Sequence, residues 1–349
     1  MRLLGVPTVL DRLIQQAITQ VSEPIFDPGF SEHSYGFRPG RGAHQAVESA
    51  RVCVEDGYRW VVDVDLEQFF DRVNHDKLMH RVSRRVADKR LLKLVHRYLQ
   101  AGVMADGVRQ PGAEGTPQGS PLSPLLSNIM LDDLDRELER RGHRFVRYAD
   151  DVRVFVRSER AAYRVLDGIT DVVEGRLKLK VNRDKSTIST ASAAGLLGFG
   201  FYFVAGGKVA VRVHGKARKR LKMRLRQLTR RNWGDSMEHR ITKLNRYIAG
   251  WCAYFGIADT VSVFEELDEW LRRRLRAVRW KQWKRARTRV RELRALGMPP
   301  DMAYQWGNTS RGVWRLAGSA PLSRAMPNSY WDDQGLLGFT HHWHRRRGA

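Results

Sequence analysis

Residues 144–157, RFVRYADDVRVFVR, contain the turn on which the predicted fold depends. Apolar residues flank Ala149, Asp150 and Asp151, and this pattern predicts two short strands joined by a tight hairpin turn with both acids at its tip. Adjacent carboxylates repel one another, so a divalent cation between them is one reason to find them together. The other interpretation is an ordinary solubilising turn, and the tetrapeptide Tyr148–Asp151 alone does not separate the two.

A third acid follows the preceding predicted strand. The β-branched run RWVVDV, residues 59–64, predicts a strand that ends beside Asp65. If this strand lies next to the hairpin, Asp65 joins Asp150 and Asp151 at one end of a sheet. Hard oxygen ligands of this kind select Mg²⁺, and two such ions can act on both sides of an in-line phosphoryl displacement. We therefore predict a magnesium site formed by these three acids, with Asp63 as a rival for the first position.

The sequence predicts helices around these strands. Apolar residues at helical spacing indicate helices over residues 8–22, 74–86, 89–100, 121–141 and 161–177. A second hairpin is predicted over 196–204 and 208–213, and after residue 215 the pattern is almost wholly helical. The predicted fold class is α+β, with an antiparallel sheet and flanking helices in residues 1–214 and an α-helical domain in residues 215–349.

Charge is distributed unevenly along the 349 residues. The chain has 62 Lys and Arg against 38 Asp and Glu, a formal net charge of +24. Residues 1–214 contribute +5 (32 against 27), whereas residues 215–349 contribute +19 (30 against 11). Such an excess predicts a polyanionic partner, with nucleic acid as the first candidate and an anionic membrane surface as the second. The contrast predicts a nearly balanced first domain and a second domain that binds the polyanion.

Composition excludes several classes of protein. The two cysteines, Cys53 and Cys252, cannot form a disulfide framework or a four-thiolate zinc site. No apolar run reaches the roughly 18 residues of a spanning helix. The N-terminal segment MRLLGVPTVLDRLIQQ lacks the apolar stretch and cleavage site of a signal peptide. We expect a soluble cytoplasmic protein that does not bind a membrane.

Two basic runs dominate the second part of the chain. The first has seven bases in eleven residues: Lys216, Arg218, Lys219, Arg220, Lys222, Arg224 and Arg226. The second extends from Arg272 to Arg294, with Trp270, Trp280 and Trp283 nearby. The bases predict phosphate contacts because nothing close in the sequence neutralises them, whereas the tryptophans are interpreted as core residues. The C-terminal histidines are interpreted as part of a solvated tail rather than a metal site: His341, His342 and His344.

Together these segments resemble the reverse transcriptases encoded by group II introns. Tyr148-Ala149-Asp150-Asp151 resembles their YxDD box. Further segments resemble boxes of this family in the expected order: SYGFRPGR (34–41), VVDVDLEQFFD (61–71), EGTPQGSPLSP (114–124), LKLKVNRDKS (177–186), LLGF (196–199) and LNRYIAGW (244–251). Several boxes in order are far more specific than one. The resemblance covers nearly the whole chain and implies the bacterial type without an endonuclease domain.

The resemblance implies a fold and an activity. The fold would be a reverse transcriptase palm with partial fingers, followed by a helical thumb, or maturase, domain. The activity would be RNA-directed DNA polymerisation with two Mg²⁺ ions held by Asp65, Asp150 and Asp151. Asp65 is preferred to Asp63 because the family places an aromatic residue five positions after the ligand, where Phe70 stands. That aromatic ring would exclude a ribose 2′-hydroxyl and favour a deoxynucleotide.

The resemblance also implies contacts with substrates. Lys185 resembles a lysine that gives a proton to pyrophosphate, with a solvated surface lysine as the alternative. Contacts with the incoming dNTP are implied for Arg2, Leu66, Phe70, Gln118 and Gly119. Contacts with RNA or primer are implied for Arg38, Leu197, Gly198, Lys216, Arg218, Lys219, Arg220 and Lys222. A helix-entry turn is the alternative for Gln118-Gly119, and an ordinary hairpin is the alternative for Leu197-Gly198.

The implied partners are group II intron RNA, an RNA template with a DNA primer, and target DNA, within a bacterial cytoplasmic ribonucleoprotein. The family has a fingertip region before the segment RLLGVP (2–7), so this chain, which begins at Met1, is expected to lack that region. Two alternatives remain. One is an RNA-binding, maturase-like splicing factor with an inert polymerase site, and the other is a related reverse transcriptase recruited to defence or repair. Whether dimers form is left open.

Overall fold

The computed structural model describes residues 7–101, 103–105, 108–110, 115, 119–232 and 234–348. The chain divides into two compact units, Met1–Ala210 and Val211–Ala349. The described residues contain both helices and antiparallel sheets, which confirms the predicted α+β class.

The first unit combines helices with antiparallel strands. Its helices are α1 (Val9–Phe26), α2 (Ala43–Glu55), α3 (Phe69–Arg72), α4 (His75–Ser83), α5 (Lys89–Gln100), α6 (Ser123–Arg140) and α7 (Glu159–Thr170). Its strands are β1 (Trp60–Val64), β2 (Val103–Ala105), β3 (Val108–Gln110), β4 (Arg144–Tyr148), β5 (Asp151–Val156), β6 (Thr187–Thr190), β7 (Gly195–Leu196), β8 (Phe199–Phe203) and β9 (Val209–Val213), the last of which contains the unit boundary.

The central sheet of this unit has four strands in the order β4-β5-β1-β6. Strand β1 pairs antiparallel with β5, so that Asp63 lies opposite Arg153 and Val64 lies opposite Val152. Successive residues of a strand point to opposite faces. Val64 and Val152 are fully buried in the core, and each contributes about 1.5–3 kcal/mol through burial of its side chain. Asp63 and Arg153 therefore lie on the other face.

The first helix differs from an ordinary amphipathic helix. Thr8 caps it, because its hydroxyl accepts a hydrogen bond from the backbone N–H of Asp11 at 3.2 Å, and the helix continues past its predicted end, with Pro24 inside it. Val9 and Leu13 are 75% and 67% exposed, whereas the polar Gln15 is buried. The helical spacing in this segment therefore predicts the helix correctly but not the face that it buries.

The second unit consists of helices after the end of β9. They are α8 (Gly215–Leu228), α9 (Met237–Phe255), α10 (Val261–Gln282), α11 (Ala286–Ala295), α12 (Pro300–Gly307), α13 (Val313–Ala317), α14 (Ala320–Ala325), α15 (Asn328–Asp333) and α16 (Phe339–Arg347). Helix α10 supplies much of the core through residues at helical spacing: Phe264, Leu267, Leu271 and Leu275. Trp280 and Trp283 are buried in the same core, as predicted. Among the described residues, no helix is both long and apolar enough to cross a membrane.

The C-terminal segment corrects one expectation. The histidines lie in helix α16, which packs on α9 and α10 rather than forming a solvated tail. Asp268 of α10 accepts hydrogen bonds from the backbone N–H groups of Phe339 and Thr340 at 2.7 and 3.0 Å, and Trp343 donates its indole N–H to the carbonyl of Ala258 at 2.9 Å. The buried carboxylate satisfies donors that the start of a helix leaves without partners, and it anchors the helix to the core.

Candidate active site

The strand register brings the three predicted acids to one end of the central sheet. The last pair of β1 and β5 is Val64 with Val152, so continuing the register by one residue sets Asp65 opposite Asp151. Asp151 also pairs with Tyr148 of β4, which leaves Ala149 and Asp150 as the turn between the two strands. The structure therefore has the hairpin that the sequence predicts, and the end of β1 lies beside it.

The turn itself has an unusual backbone conformation. Ala149 has φ of 58°, in the left-handed region that non-glycine residues rarely adopt. Arg147 stabilises this conformation by donating from Nη1 to the carbonyl oxygen of Ala149 at 2.9 Å. Gly36 lies against the turn so closely that a Cβ atom at that position would overlap the backbone nitrogen of Ala149. The turn that carries Asp150 is thus held both by Arg147 of the hairpin itself and by the segment around Gly36, which lies outside the hairpin.

Arg147 belongs to a fully buried polar network. Its Nε and Nη2 donate to the carboxylate of Asp135 at 2.6–2.9 Å, and its Nη1 also donates to Asn128 Oδ1 at 2.9 Å. Asn128 in turn donates to the carbonyl of Gly36 at 3.0 Å. Burial raises the pKa of the Asp135 carboxyl, and the neighbouring Arg147 charge opposes that rise. The network joins helix α6 and the segment around Gly36 to the turn.

A loop from the 177–186 segment holds the backbone of Asp65. The N–H of Asp65 donates to Ser186 Oγ at 3.1 Å, and its carbonyl accepts from the N–H of Asn182 at 2.8 Å. The next residue, Leu66, forms an antiparallel bridge with Val181. Lys185 is exposed in the same loop. The loop therefore places the predicted proton donor one residue from a direct partner of Asp65.

An arginine from β5 lies among the acids. Arg153 Nη1 is 2.9 Å from Asp63 Oδ1 and also contacts Asp151 Oδ1, and Nη2 donates to the carbonyl of Gly195 at 3.1 Å. Arg153 is only 7% exposed. Burial lowers the pKa of its guanidinium, and the charges of Asp63 and Asp65 oppose that change. Asp63, the rival for the first metal position, is thus paired with a cation.

The chemistry of the donors fits a divalent ion, but the side chains do not converge on one. Asp65, Asp150 and Asp151 supply the hard carboxylate oxygens that Mg²⁺ prefers. Within the described parts of the chain, however, no three His, Cys, Asp or Glu side chains form a group able to hold a metal ion, and Asp151 contacts Arg153 instead. The backbone positions of the three acids therefore lie at one end of the sheet, as predicted, but their side chains do not converge on one point.

The residues predicted to contact the nucleotide have different environments. Phe70 is half-buried and packs edge-to-face on Phe69, with ring centroids 5.2 Å apart. Phe69 lies in the core, and the side chain of Leu66 also lies there at 4% exposure. Gly119 is exposed with φ of 101°, a conformation that favours glycine. Two predicted residues lie outside the described residues: Arg2 and Gln118.

Gly115 lies against the backbone of residues 70–71, a contact that the sequence does not predict. It has φ of 97°, and a Cβ atom there would come within 2.8 Å of the carbonyl oxygen of Phe70 and 2.9 Å of Asp71 atoms. Its carbonyl oxygen is 2.6 Å from Nε2 of the buried His75. Only glycine allows this approach of two backbone segments. The glycine in the EGTPQG segment was the available signal, but nothing in the sequence pairs it with residues 70–71.

Arg38 differs from its predicted role at the RNA. Its Nε donates to Asp27 Oδ1 at 2.6 Å, and its Nη1 donates to the carbonyls of Ser31 and Ser34 at 2.5 and 3.0 Å. The side chain is 4% exposed. Because the guanidinium is buried against internal acceptors, Arg38 stabilises the segment Asp27–Ser34 rather than presenting its charge to a ligand.

The predicted primer-side turn is a tight hairpin. Leu196 pairs with Phe199 across strands β7 and β8, so Leu197 and Gly198 form a two-residue turn. Their φ values are 51° and 86°. Two positive φ values in succession are typical of a turn that matches the twist of a hairpin. This geometry is equally that of an ordinary hairpin, so the primer contact stays a prediction.

Helix α8 in the second unit presents three of its predicted RNA-binding bases to solvent: Lys216, Lys219 and Arg220. The other two are paired, because Arg218 and Lys222 both bond to Glu266 at 2.7 and 2.8 Å. The hydrogen bond from Lys222, together with the charge of Arg218, lowers the pKa of Glu266. The sequence has no acid close to this run, but the structure brings Glu266 of α10 to two of its bases, so Arg218 and Lys222 are partly neutralised.

A basic cleft lies at the end of the same helix. Its volume is about 560 Å³, and its lining is mostly basic or amide side chains: Arg224, Gln227, Leu228, Arg230, Asn232 and Lys243. Trp270 lies nearby in this unit under the cations of Lys222, Arg226 and Arg274, at 5.2–5.7 Å from its ring centroid. These distances are typical of cation–π interactions. Trp270 is therefore already covered by cations of its own unit.

Comparisons with known proteins identify two matches within the chain. Residues 1–201, more than half of the chain, match the family described as reverse transcriptase (RNA-dependent DNA polymerase). Residues 218–297 match the group II intron, maturase-specific domain. The two matches fall on either side of the segment that leads from β9 into α8.

Two curated proteins and one solved structure show the extent of the similarity. Protein YkfC of Escherichia coli is 34% identical over an alignment of 226 residues, and the match covers 54% of this chain and 59% of that protein. The group II intron-encoded protein LtrA of Lactococcus lactis is 38% identical over 136 residues, 39% of this chain and 22% of LtrA. Apo telomerase from Candida tropicalis is 10% identical with a TM-score of 0.47, over 92% of this chain and 57% of that structure. The chain thus spans less than two thirds of either curated relative.

Proposed function

The chain belongs to the reverse transcriptase family and carries the maturase-specific domain of group II introns, and on that premise we propose that it is an RNA-directed DNA polymerase that also binds group II intron RNA. Residues 1–214 would form the palm and part of the fingers, and residues 215–349 would form the thumb, or maturase, domain. The RNA template, DNA primer and target DNA belong to the same proposal.

One observation carries the polymerase proposal. The register of β1 and β5 ends with Val64 opposite Val152, and its continuation by one residue would set Asp65 across from Asp151, beside the turn that carries Asp150. Asp65 is more than 80 positions from the other two acids. Ser186 holds the backbone of Asp65, and Arg147 holds Ala149 in the turn. Oxygen donors of this type at one point of a sheet support a site for phosphoryl transfer.

The chain's own residues have separate roles in this proposal. Asp65, Asp150 and Asp151 would hold two Mg²⁺ ions, which when bound supply activation of the primer 3′-hydroxyl and neutralisation of the leaving pyrophosphate. The ring of Phe70 would occupy the space of a ribose 2′-hydroxyl. The exposed ammonium of Lys185, beside the loop that holds Asp65, would give a proton to the departing pyrophosphate.

The second unit would bind RNA through its surface charge. The exposed bases Lys216, Lys219 and Arg220 and the basic cleft beside α8 support phosphate contacts. The name of LtrA states that it is encoded by a group II intron, and with the maturase-domain match this supports intron RNA as the partner. Binding that stabilises the folded intron would promote splicing.

Primer extension on an RNA template tests the polymerase proposal. Asp151→Ala should lower Mg²⁺-dependent dNTP incorporation by about 100-fold or more, because a metal ligand is lost. Asp332→Ala is a matched control, since Asp332 and Asp333 are another adjacent, exposed pair of acids, and it should retain activity. Full activity in Asp151→Ala would reject the assigned site.

A second candidate function follows from the pairing of Asp151 with Arg153. If that pair keeps ions out under all conditions, the protein is an RNA-binding splicing factor with an inert polymerase site. Purified protein would then bind intron RNA with strong salt dependence and incorporate no dNTP at any Mg²⁺ concentration. Asp151→Ala would leave its splicing activity unchanged.

A further inference from the structure

We propose that Arg153 is a positioning residue that serves as the internal counter-ion of the acidic sheet face, holding Asp63 and Asp151 in the ion-free protein and weakening the binding of the first divalent ion. The inference rests on the proposed magnesium site. The inference assigns to that site a positively charged residue, Arg153, which should weaken the binding of a divalent ion.

The geometry gives Arg153 a central position on this face. Asp63 lies directly opposite it on β1, and Asp151 lies two residues before it on β5, on the same side of the sheet. Its guanidinium contacts a carboxylate oxygen of each. Continuing the register, Asp65 lies opposite Asp151 and therefore also faces this side. Two acids thus contact one arginine, and the continued register sets a third, Asp65, on the same side of the sheet.

Burial makes Arg153 and the neighbouring acids depend on one another. The side chain of Arg153 is 9% exposed, whereas those of Asp63 and Asp151 are 30% and 36% exposed. The cation therefore lies beneath the acids, and its Nε is buried without a hydrogen-bond partner among the described residues. A buried cation is retained only when acids compensate it. Arg153 depends on the acids as much as they depend on it.

Charge decides the sign of the effect on ion binding. Without a cation, the carboxylates of Asp63 and Asp151, which both contact Arg153, would repel one another, so Arg153 stabilises the ion-free protein. A divalent ion at Asp151 would experience repulsion from the same guanidinium and would compete with it for the carboxylate. Removing the Arg153 charge should therefore destabilise the ion-free protein and strengthen ion binding at the same time.

The test measures binding of Mn²⁺ alone to the full chain, by the loss of the free-ion electron paramagnetic resonance signal, together with thermal unfolding. Arg153→Gln should bind the first Mn²⁺ about tenfold more tightly than wild type. Its midpoint of unfolding should be lower without ions, and saturating Mn²⁺ should reduce the difference. Arg157→Gln is the matched control: it removes the same charge just past the end of β5, where Arg157 is exposed and stacks on Tyr58, and it should leave the affinity unchanged.

Arg153→Lys separates charge from shape and serves if the glutamine variant does not fold. It keeps the positive charge but loses the planar fork, so a counter-ion role predicts affinity near that of wild type. Unchanged or weaker Mn²⁺ binding in Arg153→Gln would overturn the inference, as would a tenfold loss in Arg153→Lys, since shape rather than charge would then govern binding.

Asp65→Asn distinguishes this inference from the proposed function. If it weakens Mn²⁺ binding while Arg153→Gln has no effect, the metal site stands and only the counter-ion role is wrong. If wild type and Asp65→Asn bind Mn²⁺ equally, the proposed site fails, and the inference fails with it.

Discussion

The two units of this protein use charge in opposite ways. In the first, acids and bases are nearly balanced, and several charges are paired away from solvent: Arg147 and Asp135 are both fully buried, and the buried Arg38 pairs with the half-buried Asp27. In residues 215–349, which make up nearly all of the second, bases outnumber acids by 19, and three bases at the start of α8 remain exposed. Buried pairs fix the position of a backbone segment, whereas each exposed base adds one similar contribution to the binding of a polyanion. A single substitution should therefore have a large effect in the first unit and a graded effect in the second.

The largest expected effect is at Arg147. Arg147→Ala should destabilise the protein by about 3–5 kcal/mol, because it leaves the fully buried carboxylate of Asp135 without its partner. Denaturant unfolding measures the loss. The double change Arg147→Met with Asp135→Leu should cost less than the single change, since no unpaired charge remains.

Arg144→Ala provides the control for this comparison, because Arg144 begins the same strand and is exposed. It should change the free energy of unfolding by about 0.5 kcal/mol or less. A loss of similar size at Arg144 and Arg147 would mean that burial does not distinguish the paired charges of the first unit.

A graded effect is expected on helix α8. The triple change of Lys216, Lys219 and Arg220 to Ala should make the fall of log affinity with log salt concentration less steep. The magnitude of the negative slope should decrease by about 2, because each exposed base releases counterions from RNA. The double change of Arg218 and Lys222 to Ala should alter the slope less, since these two bases already bond to Glu266. Filter binding of RNA over a range of salt concentrations measures both slopes, and equal changes per base would contradict the distinction between paired and exposed bases.

The smallest effect is expected at Glu266. Its pKa in the folded protein is lowered from 4.5, chiefly by the hydrogen bond from Lys222. The stabilisation from this pair is therefore fully present above the unfolded pKa and is lost as the pH falls through the lower folded value. The unfolding midpoints of wild type and Glu266→Gln should differ slightly near pH 6, and the difference should shrink as the pH falls below 4.5. A difference that grows towards acid pH would reverse the assigned sign.

The secondary structure near the site follows from local patterns in the sequence. The strands at 60–64 and 144–148 and the helices at 75–83 and 89–100 lie within the predicted segments, because alternation and helical spacing are properties of neighbouring residues. The acids at the turn and at the end of β1 were recognised for the same reason. Their roles in catalysis stay predictions until incorporation is measured.

The partners of charged residues could not be predicted from the sequence. Arg38 and Arg147 both look like surface charges in the sequence, yet each is buried against acceptors from another segment. Glu266 is 44 positions from Lys222, so no local pattern connects them. The C-terminal histidines likewise gave no sign that Asp268 would hold the start of their helix.

The sequence by itself determined the fold class, the positions of the main strands and helices, the contrast in charge between the two parts of the chain and the acids at the turn. Only the tertiary structure decided that Arg153 lies among those acids, that Gly36 and Arg147 hold the left-handed Ala149, and which bases of α8 remain exposed. The reason is physical: periodicity depends on adjacent residues, whereas the pairing and burial of charges depend on which distant segments the folded chain brings into contact.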